Sequence, residues 1–104
     1  MGHMDEAVAE YKYAEGEILR FLWPRFTERQ KKDVSNQPDA WNMAVRGLEI
    51  AAWIGLRVPE ELVREIELDG EYWGEEDAYG HLALRAVRWQ RELDENKEPP
   101  PATA

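Results

Sequence analysis

The chain is 104 residues long, with 22 acidic and 13 basic side chains, a formal net charge of −9, five tryptophans and no cysteine. The lack of cysteine excludes disulfides, thiolate catalysis and cysteine-ligated zinc or iron–sulfur sites, and it fits a reducing compartment, so a cytoplasmic location is expected. The negative total opposes direct binding to nucleic acid or anionic lipid, and no apolar run approaches the ~18 residues of a membrane span.

An apolar content of 43% predicts a packed globule rather than a disordered chain. A chain of this size forms one small domain that buries about 60–65% of its unfolded surface, and a large interior active site would compete with its core. Met1-Gly2-His3-Met4 reads as a cloning remnant and residues 98–104 as a disordered Pro-rich tail, which leaves a helical domain over residues 5–97.

The first predicted helix runs from Asp5, a capping residue, to Trp23, with Val8, Tyr11, Ile18, Leu19 and Leu22 near helical spacing, and Pro24 ends it. A shorter helix follows over residues 25–34, within the only net basic stretch, and Ser35-Asn36-Gln37-Pro38-Asp39 is a turn and capping cluster. From Pro38 to Ile54, Trp41, Val45, Leu48 and Ala52 make a core stripe, and the small residues Ala44, Gly47, Ala51 and Ala52 would admit a close helix neighbour. Gly55 marks the stop.

Pro59 sits well at a helix start, and the acids after it complement the helix dipole, so residues 59–68 are expected as a short helix with Leu62, Val63 and Ile66 inward. Asp69-Gly70 signals a turn, and Glu67 to Trp73 also reads as a small hairpin on that turn. The last helix spans residues 75–95, with Leu82, Ala86, Trp89 and Leu93 on one stripe. The fold class is therefore all-α, a single-domain bundle of four to five helices.

Residues 60–80 hold nine acidic side chains against one basic, Arg64, which is −8 of the total −9. Aromatic residues are interleaved with this acidity. The chemistry suits a surface that steers a basic protein by charge and anchors it by desolvated rings. The candidate partner-binding residues are Glu60, Glu61, Glu65, Glu67, Asp69, Glu71, Tyr72, Trp73, Glu75, Glu76, Asp77 and Tyr79. On this reading the chain is a non-catalytic inhibitor, immunity-type factor or adaptor, without a cofactor.

Other chemistries fit these residues less well. Asp69, Glu71 and Gly74 fall at three positions of a calcium loop, but Trp73 and Gly80 stand where oxygen ligands are needed. Glu60, Glu61 and Glu65 with Glu75, Glu76 and Asp77 suggest a magnesium-dependent all-α nucleotide pyrophosphohydrolase as the alternative, although Arg64 follows Glu61 at the position that would need an acid. His81 beside Asp77 is a lone acid–base pair, and the arginine row Arg85, Arg88 and Arg91 runs straight into acids. Homo-oligomerisation through a surplus apolar face near Trp23 and Phe26 is a further expectation.

Overall fold

The computed structural model describes residues 14–94, so the proposed N-terminal remnant, the first half of the first predicted helix and the Pro-rich tail lie outside the described residues. Among the described residues there are five α-helices and no strand: α1 (Ala14–Leu22), α2 (Glu28–Ser35), α3 (Ala40–Trp53), α4 (Glu60–Trp73) and α5 (Ala78–Asp94), with a 3-10 turn at Trp23–Arg25. This is the all-α bundle read from the sequence. None of these helices is long and apolar enough to cross a membrane.

Local chemistry sets each boundary. Pro24 holds the chain in the 3-10 turn that ends α1. Thr27 and Gln30 then form a reciprocal capping box, so α2 begins at Glu28, not at Arg25. Asp39 caps α3 by accepting the Asn42 N–H at 2.8 Å. At the other end of α3, Gly55 takes φ 76°, and the Leu56 and Gly55 N–H groups bond to Ala51 and Ala52 carbonyls, the two bonds of a Schellman cap.

Helices α1, α3, α5 and α4 pack in a ring, each against the next, with α2 lying on α3. Ile18, Leu19, Leu22, Val34, Leu48, Val63, Ile66, Ala83 and Ala86 fill the centre. Gly47 lets α1 approach α3, since a Cβ there would lie 2.6 Å from Leu22 Cδ1. Phe26 is buried and Trp23 is partly buried against the core, so the pair leaves little of the surplus apolar face expected there.

Two polar devices cross the core. Gln90, buried in α5, accepts the Val58 N–H at 2.9 Å and donates to the Leu48 and Leu56 carbonyls, satisfying the backbone between α3 and α4. Glu49, only 3% exposed, is held by Arg46 and Arg85, and Arg46 also makes a two-pronged pair with Asp33 at 2.9 and 3.0 Å. Trp53 lies against Arg46 and Trp89 against Arg85. Asp33, Arg46, Glu49 and Arg85 line a cleft of about 260 Å³ and tie α2, α3 and α5 together.

The largest departure from the sequence reading is at Asp69-Gly70, which is neither a turn nor a hairpin: α4 continues through it to Trp73. A glycine in a helix costs about 1 kcal/mol relative to alanine, but here its missing side chain admits α5. A Cβ at Gly70 would stand 2.8 Å from Leu84 Cγ and 3.2 Å from Ala83 Cβ. The helix ends instead at Gly74, whose φ of 86° and ψ of 156° belong to glycine alone. The Asp77 N–H then bonds the Gly74 carbonyl, and α5 starts at Ala78 rather than Glu75.

Gly80 closes this corner, since a Cβ on it would sit 1.9 Å from the Gly74 carbonyl oxygen. Helix propensity alone would make Gly80→Ala stabilising by about 1 kcal/mol. The contact reverses the sign, and a loss of about 2–3 kcal/mol is expected from urea unfolding, as for an overpacked interior. An unchanged or raised urea midpoint would contradict the close approach.

Candidate functional site

Helix α4 carries most of the predicted site, and its geometry divides that site into separate faces. Glu61, Glu65, Leu68 and Tyr72, spaced four, three and four residues apart, share one line along the helix, and all four are exposed. Glu60, Arg64, Glu67 and Glu71 follow the same spacing on the flank toward α5. Val63, Ile66 and Gly70 point inward and are buried. Asp69 and Trp73 lie four apart, Asp69 facing α3 through its contact with Trp41 and Trp73 meeting Tyr79 at the start of α5.

The flank is an ion-pair network. Arg91 from α5 donates to Glu60 at 2.7 Å and to both oxygens of Glu67, and Arg64 also donates to Glu67. Glu71 reaches Arg64 only at 4.0 Å. These bonds raise the Arg91 pKa and hold the Glu67 carboxyl below its ordinary value, Arg91 first and Arg64 second. Glu60 and Glu67, both expected at a partner surface, are thus committed to joining α4 to α5.

Two further predicted acids have local work. Asp69 accepts the Trp41 indole N–H at 3.0 Å. Asp77 caps α5, its carboxylate accepting the Tyr79 N–H and its carbonyl the His81 N–H, each at 2.8 Å. Only this backbone contact joins Asp77 and His81 among the described residues. Glu61, Glu65, Glu75 and Glu76 are exposed and carry no ion pair or hydrogen bond among the described residues. The six carboxylates of the magnesium alternative are therefore spread over an ion-paired flank, an outer stripe, a turn and a cap. No group of three or more acids or histidines among the described residues is placed to hold a metal ion.

The aromatic residues come together. Tyr72 is 82% exposed, Trp73 51% and Tyr79 48%, with Leu68 at 43% on the same line as Tyr72. Tyr72 meets Trp73 edge-on at 5.4 Å between centroids, Trp73 meets Tyr79 at 6.0 Å, and Tyr79 meets Trp41 edge-on at 5.6 Å. The chain of four rings runs from the outer stripe of α4 across the Gly74 corner to the start of α3. Trp41 was expected in the core stripe. It packs partly against the core, but its indole N–H faces Asp69 and its ring joins the surface cluster. The need of a tryptophan N–H for an acceptor, two residues past the Asp39 cap, was the sequence signal for this.

The arginine row considered for nucleic acid is largely engaged: Arg85 with Glu49 and Arg91 with Glu60 and Glu67. No protein-family model matches the chain, and no curated protein and no solved structure matches it.

The Glu67 network has a pH signature. Its depressed folded pKa means that pairing stabilises the fold above the unfolded carboxyl value and that this contribution is lost as pH falls through the lower folded value. Glu67→Gln should therefore be less stable than wild type at about pH 7, with the gap closing toward about pH 3 as wild-type Glu67 protonates. Urea midpoints at the two pH values check this, and a gap independent of pH would contradict it.

Proposed function

We propose that the chain is a non-catalytic protein-binding module that presents an acidic and aromatic surface to a basic partner, acting as an inhibitor or adaptor. The observation that carries this reading is the exposure of three contiguous aromatic rings, Tyr72, Trp73 and Tyr79, beside Leu68. Rings of this size are ordinarily folded inward, and a contiguous exposed group of them marks a contact surface more often than a scattered one does. Tyrosine and tryptophan also supply much of the binding energy where interfaces are measured.

Charge supports the same reading. The carboxylates free of local partners, Glu61, Glu65, Glu75 and Glu76, extend the outer stripe or adjoin the aromatic corner. They raise the association rate of a cationic partner over roughly a Debye length, about 10 Å at 0.1 M salt. The rings then hold it. Acids on the α5 flank contribute fold stability instead, so the interface is narrower than the acidic run in the sequence.

The test uses wild type, Leu68→Ser/Tyr72→Ser and the four-fold variant Glu61→Gln/Glu65→Gln/Glu75→Gln/Glu76→Gln as baits in source-cell lysate. A basic protein should bind wild type, weaken as salt is raised and fall about 30-fold in affinity with the Leu68/Tyr72 variant, the scale of a lost hot spot. The glutamine variant should lose mainly association rate and salt dependence. Equal capture by all three baits, or capture of no basic protein, would overturn the proposal.

A further inference from the structure

Beside the exposed stripe, the rings border an open cleft of about 290 Å³ lined by Asp39, Trp41, Asn42, Asp69, Trp73 and Tyr79. Three aromatic walls, two carboxylates and no basic residue make its lining. Trp41 and Tyr79 stand at 82° to one another, and Trp73 is tilted 51° from Tyr79, so the rings form sides of a box rather than a stack. The volume lies just below the roughly 300–1,000 Å³ usual for small-molecule pockets, which suits one side chain better than a cofactor.

The electrostatics select a cation. Helices α3 and α5 begin near the cleft and bring about half a positive charge each, whereas α4 ends there with about half a negative charge. Asp39 and Asp69 outweigh this balance. Ring faces add their own attraction for a cation, worth more as water is displaced.

Hydrogen bonding narrows the class further. One oxygen of Asp39 accepts both the backbone N–H and the side-chain amide of Asn42, and one oxygen of Asp69 accepts the Trp41 indole. The second oxygen of each carboxylate has no hydrogen bond among the described residues. A quaternary ammonium has no donor for them, and a lysine ammonium is a compact, strongly hydrated charge. A guanidinium is flat, stacks on indole and phenol faces, and offers five N–H donors at its edge.

We infer that this cleft is the seat of an arginine side chain. That the arginine belongs to the basic partner rests on the interface reading above. The seat gives that partner a specific anchor, since steering by Glu61, Glu65, Glu75 and Glu76 accepts any basic surface.

The experiment is an NMR titration of the full chain, following the indole N–H signals of Trp41 and Trp73, with N-acetyl-arginine methylamide, its lysine counterpart and its trimethyl-lysine counterpart. Arginine should give saturable shifts at both indoles with a Kd on the order of 1–10 mM, and lysine and trimethyl-lysine should bind at least about fivefold more weakly. Asp39→Asn/Asp69→Asn keeps the cap and the indole acceptor but removes both charges, and it should weaken arginine binding about tenfold with the fold intact by circular dichroism.

No saturable shift at Trp41 with arginine, equal binding of the three probes, or an unaffected Asp39→Asn/Asp69→Asn variant would each overturn the seat. Capture of a basic protein through Tyr72 without an arginine response at Trp41 would overturn the seat alone. Saturable arginine binding without capture of any basic protein would support the seat and sink the interface reading.

Discussion

The surface chemistry of this chain depends on the close approach of α4 and α5 at three glycines. Gly70 admits Leu84 and Ala83, Gly74 reverses the chain at φ 86°, and Gly80 rests against the Gly74 carbonyl with no room for a side chain. This seam fixes where α4 stops, and so it places Trp73 and Tyr79 on either side of one tight corner. Aromatic side chains on a mobile loop would pay their ordering cost on binding. Set on the ends of two packed helices, they are ordered in advance.

The same seam explains the division of the acidic residues. Holding α4 against α5 brings Arg91 between Glu60 and Glu67, and Arg64 adds a second cation to Glu67. Such partly exposed pairs contribute modestly to stability, but they offset most of the negative charge on one flank of a largely acidic helix. The outer line, with Glu61, Glu65, Leu68 and Tyr72, is left with its full negative charge and its apolar surface. One helix thus separates acids that hold the fold from acids that face solvent.

Much of the fold was legible from spacing and punctuation. Pro24, the capping cluster before α3, Gly55 and the inward Leu62, Val63 and Ile66 were read correctly because each acts through local chemistry or simple periodicity. The Asp69-Gly70 pair was misread because its turn signal is local, whereas its helical state is set by Leu84 and Ala83 on another helix. The aromatic and acidic character of residues 60–80 was visible. Which acids were already paired was not, because Arg91 lies 24 residues beyond Glu67. Asp39, Trp41 and Asn42 reach the cleft across 30 or so residues of chain, and no short motif encodes that meeting.

Binding at the aromatic corner is the central claim, and hydrogen–deuterium exchange of the chain with and without its captured basic partner tests it most directly. The account predicts slowed exchange in peptides covering residues 65–81, with little change over residues 28–35 of α2. Protection confined to α2, with residues 65–81 unchanged, would contradict it.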